Sequence, residues 1–282
     1  MPIGNAFAIL KSVKIPVPMV ENYINIQQPE AMVFDSNGNL FVTCSGGSWI
    51  NKIDTNGVMT TFTQIITATT SIQPRFLGID SSDNIYITDP TTLGSSTYNF
   101  NIYKINTAGQ MSTFYKNLGN SCGIVVDKSD NIYISDFSQI NKFTINGIRT
   151  FNFGNTNSLP KTPKIQALAL DYNENVYFSD SNTKFVFKIK KDGSSLLGQA
   201  GGFINPNSIC IDKYDNWYIV DENIIKKYFP GNLSNFAGTA TAGDKIGAAT
   251  SASFNNIRNI VYKNDAIYIA DKGNNKIKKL IF

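Results

Sequence analysis

The chain has 282 residues, of which 42% are apolar and 16% charged, and a net charge of +4. That is a globular profile with room for one large domain or two small ones, and its mild basicity is a weak hint of an anionic partner. There is no histidine, which removes Ser-His-Asp and Cys-His catalysis, histidine metal ligands and the histidine pH switch together.

No run approaches the roughly 18–20 apolar residues of a membrane span, so no membrane insertion is expected. The first residues offer only AFAIL before Lys11 interrupts, too short for a signal-peptide core. Cys44, Cys122 and Cys210 show no CxxC spacing and read as reduced core thiols. The expected location is therefore cytoplasmic or otherwise intracellular. Asn and Ile are abundant, as in proteins of AT-rich genomes, among them protists, intracellular bacteria and large DNA viruses of amoebae; a virion component fits as well as a host-cell protein.

In chain order, NAFAILKSV (5–13) is the first segment that reads as a strand. From about residue 28 the chain repeats one unit six times. Each unit opens on an apolar run ending in Asp: EAMVFD (30–35), FLGID (76–80), GIVVD (123–127), ALALD (167–171), SICID (208–212) and, without the Asp, RNIVY (258–262). A short turn rich in Asn, Asp, Ser or Gly leads to an alternating segment: GNLFVTC (38–44), DNIYITD (83–89), DNIYISD (130–136), ENVYFSD (174–180), DNWYIVD (215–221) and DAIYIAD (265–271). Period-2 alternation of β-branched and aromatic residues marks a strand.

A third strand follows: INKI (50–53), IYKI (102–105), INKF (140–143), VFKI (186–189), IKKY (225–228) and IKKL (277–280). A fourth is read at MTTF (59–62), MSTF (111–114), IRTF (148–151), SSLL (194–197) and LSNF (233–236), and the sixth unit runs out at Phe282 without one. The copies recur every 41 to 50 residues, the spacing of propeller blades.

One four-stranded antiparallel sheet cannot bury both faces, whereas six stacked radially bury them and protect their edges. The prediction is one all-β domain, a six-bladed β-propeller spanning 1–282. Its blades fall at about 28–66, 73–115, 120–153, 164–199, 205–237 and 254–282. The missing strand is expected from residues 5–13, pairing with IKKLIF (277–282) and closing the ring.

The pattern P-x-x-φ-x-φ-D, a turn, N-φ-Y-φ-x-D, a loop and N-x-x-φ-K-φ resembles the NHL repeat. Residues 236–280 are similar to the linker and repeat of many NHL proteins. The departures are Lys at the usual Arg position of the third strand and Cys44 in place of the first unit's Asp. The resemblance implies the six-bladed fold. It leaves the activity open, since related propellers include RNA-binding modules, protein-interaction platforms, sensor domains, a zinc lyase and calcium-dependent lactonases.

Residues present once per blade serve the blade. The strand-ending aspartates (Asp89, Asp136, Asp180, Asp221, Asp271) are expected to bind the backbone of the next loop. The aromatics (Phe41, Tyr86, Tyr133, Tyr177, Tyr218, Tyr268) are expected to pack between blades. Lys52, Lys104, Lys142, Lys188, Lys226 and Lys278 are expected to snorkel.

Function is expected where the repeat breaks, on the rim formed by the loops leading into the innermost strands and those between second and third strands. Trp49, Arg75, Tyr98, Phe100, Phe137, Lys164 and Arg258 are the binding candidates, with Ser121 and Gln166 on the same loops. The favoured reading is a non-catalytic protein-interaction platform with no cofactor. Cations beside aromatics make RNA or another polyanion the first alternative. The second is a lactonase-like hydrolase holding Ca2+ or another divalent ion at the channel mouth through Glu30, Asn120, Asn207 and Asn259. A zinc lyase lacks its histidines.

Overall fold

The computed structural model describes residues 16–65, 74–88, 101–118, 121–136, 139–153, 163–194 and 196–282. A leading strand β1 (Met19–Asn25) precedes five four-stranded antiparallel sheets. Blade 1 holds β2 (Pro29–Phe34), β3 (Leu40–Cys44), β4 (Trp49–Ile53) and β5 (Met59–Gln64). Blade 2 holds β6 (Leu77–Ile79), β7 (Ile85–Thr88), β8 (Ile102–Ile105) and β9 (Met111–Tyr115). Blade 3 holds β10 (Ser121–Val126), β11 (Ile132–Asp136), β12 (Ile140–Phe143) and β13 (Arg149–Phe153). Blade 4 holds β14 (Ile165–Leu170), β15 (Val176–Asp180), β16 (Phe185–Ile189) and β17 (Leu196–Gly201). Blade 5 holds β18 (Pro206–Ile211), β19 (Trp217–Asp221), β20 (Ile224–Phe229) and β21 (Asn232–Ala237).

After a two-residue strand β22 (Gly247–Ala248), blade 6 is built from β23 (Ile257–Lys263), β24 (Ala266–Asp271), β25 (Lys276–Ile281) and the returning β1. The inner strands β2, β6, β10, β14, β18 and β23 neighbour one another in that order and close back on β2. The six-bladed propeller is thus closed by an N-terminal strand on the C-terminal blade.

That strand is not 5–13, which lies outside the described residues. Met19 pairs with Ile281, Val20 with Leu280 and Asn25 with Lys276, so the edge of β25 is filled by 19–25. Val20 enters the core while Glu21 and Asn22 stay exposed. Pro16 and Pro18 stand just before the strand, where their missing N–H groups cost the ladder nothing. β22 pairs with the other side of β1 through Met19–Ala248 and Val20–Gly247.

The core lies between blades. Tyr218, Val220 and Ile225 of blade 5 meet Ile257, Ile267, Ile269 and Leu280 of blade 6, and Val42 and Ile53 of blade 1 meet Ala270 and Ile277 of blade 6. Burying each such side chain is worth about 1.5–3 kcal/mol, and no blade achieves it alone. The aromatic ring of each repeat joins these clusters, as its spacing predicts.

One face of the disc carries the turns between first and second strands, and there the repeat is an electrostatic device. In blade 4, Asp171 accepts from the Asn175 N–H (2.8 Å), the Asn175 side chain (2.7 Å), the Tyr177 hydroxyl (3.1 Å) and Lys188 (3.2 Å). Tyr86, Tyr133 and Tyr218 bind Asp80, Asp127 and Asp212 likewise.

The first residue of each repeated heptapeptide is left-handed, with φ of 61° at Asp83, 58° at Asp130, 63° at Glu174, 61° at Asp215 and 57° at Asp265. Short polar side chains tolerate that region and can bond locally. Here several bond the preceding blade. Ser36 donates its N–H and hydroxyl to Asp83, Ser81 does the same to Asp130, and the Lys128 N–H binds Glu174.

The register corrects two lysines. The residue across from each aromatic is Lys52, Lys104, Lys142, Lys188, Lys227 and Lys279. Lys226 and Lys278 are their neighbours and point to the opposite side of the sheet, because side chains alternate. Lys278 is fully buried, with its ammonium 2.8 Å from Asp271, 2.9 Å from Asp244 and 2.9 Å from the Ser253 carbonyl. Lys226 pairs with Asp221 at 2.8 Å.

Candidate functional site

The other face is the rim, and it is held by the strand-ending aspartates. Asp180 accepts from the Lys164 N–H (2.8 Å), Asp221 from the Ile204 and Asn205 N–H groups (2.9 and 2.6 Å) and Asp271 from the Asn255 N–H (2.7 Å). These three fix the loop leading into their own blade, and Asp136 and Asp180 also accept from the loop that follows, as expected, through the Gln139 N–H at 3.0 Å and the Asn182 N–H at 2.9 Å. Blade 1 has Cys44 there, and burial pushes its thiol up to about 11. The missing anchor comes from blade 6, where Asn275 accepts from the Gln28 N–H at 3.0 Å.

Where these loops become inner strands, the ladder slips between Pro29 and Met32, Ser121 and Gly123, Ile165 and Ala167, Pro206 and Ser208, and Ile257 and Asn259. A bulge re-aims a side chain, and here one stands at the same place in five of the six blades around the mouth. The residues at that position are Glu30, Cys122, Gln166, Asn207 and Arg258. Counting back from the Leu77–Ile87 pair puts Arg75 at the same place in blade 2. No two neighbouring blades carry the same residue. At the far end of the same strands, one half-buried apolar residue per blade (Phe34, Ile79, Val126, Leu170, Ile211, Tyr262) stands before the turn.

Glu30 and Arg258 meet across the seam between blades 1 and 6. The Glu30 carboxylate accepts from Arg258 Nε at 2.8 Å, from Lys272 and from the Ser45 hydroxyl. Burial alone would raise its pKa; the Arg258 charge and the hydrogen bonds from Lys272, Ser45 and Arg258 outweigh burial and leave it below the ordinary glutamate value. A divalent ion at Glu30 would compete with two cations already there. Asn259 Oδ1 accepts from the Met32 N–H at 3.1 Å, and its amide donates to Ser208 at 3.4 Å. Asn207 donates to the Ile257 carbonyl at 3.3 Å, while its Oδ1 is buried without a donor. Asn120 lies outside the described residues. Among the described residues no three Asp, Glu or Cys side chains cluster as a metal site.

Of the binding candidates, Tyr98, Phe100 and Phe137 lie outside the described residues. Arg75 and Lys164 are exposed, and neither side-chain head has a partner among the described residues. Trp49 opens β4 at 42% exposure. Its ring lies over Gly47, where a Cβ would stand 3.0 Å from the indole. Phe185 opens β16 at the same place in blade 4, also 42% exposed, and lies over Gly201, where a Cβ would come within 2.5 Å of the ring. Ile204, on the neighbouring loop, is 61% exposed. Phe185, Ile204 and Lys272 escape the sequence reading. Phe185 was findable, since VFKI is the third strand of blade 4 and Phe185 precedes it as Trp49 precedes INKI.

No protein-family model matches the chain, and no curated protein matches it. Solved structures do. A Bacteroides thetaiotaomicron protein of unknown function is similar with a TM-score of 0.74 at 18% identity, covering 94% of this chain and 76% of that one. A catalytically inactive histidine-to-alanine variant of virginiamycin B lyase from Staphylococcus aureus, with quinupristin, gives 0.69 at 17%, covering 94% and 99%. An auxiliary nutrient binding protein from Bacteroides ovatus gives 0.72 at 14%, covering 94% and 76%. Likeness at this identity establishes the fold alone.

Proposed function

We propose that this chain is a non-catalytic binding module, an NHL-type propeller whose rim is a protein-interaction platform. The observation that carries the reading is the exposure of Trp49, Phe185 and Ile204 on one rim, whose entry loops are anchored by Asp180 and Asp221 in blades 4 and 5 and by Asn275 in blade 1. Large side chains exposed on pre-ordered loops lose little entropy on binding, and Trp and Arg are the residues that most often dominate protein interfaces. The NHL kinship itself rests on the repeat.

The histidine-dependent lyase among the similar structures offers no route here, since this chain has no histidine. The divalent-ion hydrolase is disfavoured by the two cations on Glu30. The polyanion reading keeps Arg75 and Lys164, but Arg258 is tied to Glu30.

Immobilised protein, incubated with extract of the cell it comes from, is expected to retain a discrete protein. Retention should be lost on combining Trp49→Ala with Ile204→Ser and kept on Tyr172→Ala at the opposite face. Retention indifferent to the rim changes contradicts the proposal.

A further inference from the structure

The two seated aromatics are not placed at random. Trp49 belongs to blade 1 and Phe185 to blade 4, and in a ring of six these blades face each other across the mouth. Each opens the third strand, and each ring lies on a glycine. Between them the mouth carries Arg75 from blade 2, Lys164 from blade 4, and Arg258 and Lys272 from blade 6. Glu30 answers only the blade-6 pair. The mouth therefore offers an apolar contact at each end of a diameter and, between them, Arg75 and Lys164, whose side-chain heads have no partner among the described residues.

We infer that the rim binds an extended acidic peptide segment. Apolar side chains at its two ends would sit on Trp49 and on Phe185 with Ile204, and its central carboxylates would face Arg75 and Lys164. This rests on the rim being the binding face. Glu30 on Arg258 and Lys272 shows within the molecule that these loops receive a carboxylate. Single-stranded RNA fits less well. Its affinity comes from neutralising many phosphates, whereas Arg258 and Lys272 are already taken by Glu30. Ile204 offers an aliphatic contact rather than a stacking plane.

The test uses fluorescein-labelled pools of peptides of about 12 residues, titrated by fluorescence anisotropy against the full chain. One pool has Asp and Glu at the centre and Leu, Ile and Phe at both ends. A second has a Lys/Arg centre, a third has the acidic centre with Ser and Gly ends, and a uridine oligonucleotide is the fourth probe. The first pool should bind tightest. Arg75→Glu should weaken it at least about ten-fold, and Trp49→Ala and Phe185→Ala about ten-fold each. Tyr172→Ala on the opposite face should leave it unchanged.

The inference is overturned if the first pool binds no better than the second or third, if the oligonucleotide binds more tightly, or if Arg75→Glu has no effect. When no pool binds but the chain still retains a cellular protein through Trp49 and Ile204, the peptide inference fails and the platform stands. When neither binding occurs, both fail.

Discussion

The two faces of this disc are made from the same strands and obey different rules. On the turn face, Asp80, Asp127, Asp171 and Asp212 each hold an asparagine and a tyrosine, and Ser36, Ser81 and Lys128 stitch blade to blade. On the rim, the bulge position reads Glu30, Arg75, Cys122, Gln166, Asn207 and Arg258 in turn. Uniform chemistry holds the ring together; varied chemistry over a uniform frame is what recognition needs.

The largest effect should come from beneath the rim, where the frame is. Lys278→Ala leaves Asp271 buried without its cation and should cost about 3–5 kcal/mol, read as a fall in the denaturant midpoint. On the turn face, Asp171→Ala strands the Tyr177 hydroxyl, Asn175 and Lys188 together and should cost about 2–3 kcal/mol. Tyr177→Phe removes one hydroxyl and should cost about 1 kcal/mol, a change blade 1 already tolerates with Phe41. Rim changes such as Arg75→Ala should stay within about 0.5 kcal/mol in the same assay. A rim substitution as damaging as Asp171→Ala would erase the division.

Titration separates the faces as well. Burial raises the Asp80 and Asp171 carboxyls, but bonds from Asn84 and Asn175 and the nearby Lys104 and Lys188 outweigh it, so both lie below the ordinary range. Their stabilisation is present above the unfolded value of about 3.9 and is lost as pH falls through the lower folded value. Burial, then the charge and hydrogen bond of the partner aspartate, raise the Tyr86, Tyr133, Tyr177 and Tyr218 hydroxyls. Their stabilisation is complete below about pH 10 and is lost as pH rises above it. Thermal melts against pH should therefore show a plateau that falls at both ends. Tyr177→Phe should shrink the alkaline fall, and no rim substitution should alter it.

The blades were legible because period-2 alternation and a six-fold repeat leave little choice of register within a blade. The closing strand was misplaced because MVENYIN buries Val20 while its polar residues face out, whereas 5–13 is the more apolar segment. The sequence does not distinguish Lys226 and Lys278 from Lys227 and Lys279, because a Lys-Lys doublet looks alike in either register; only the partner strand tells which side each takes. Of the bulge ring, Glu30, Arg75, Gln166, Asn207 and Arg258 stand out in the sequence as irregular loop residues and Cys122 does not, but an extra residue in a strand leaves no periodic mark, so their equivalence is hidden. The stitch from Ser36 to Asp83 crosses blades and has no local signature.

The central claim is that one face binds and the other holds. A photo-crosslinking residue placed at Trp49 or Ile204 on the rim, and separately at Tyr172 or Tyr214 on the turn face, tests it in the native extract. The account predicts a discrete crosslinked protein from the rim positions and none from the turn face. The same product from Tyr172 or Tyr214, with none from Trp49 or Ile204, would contradict it.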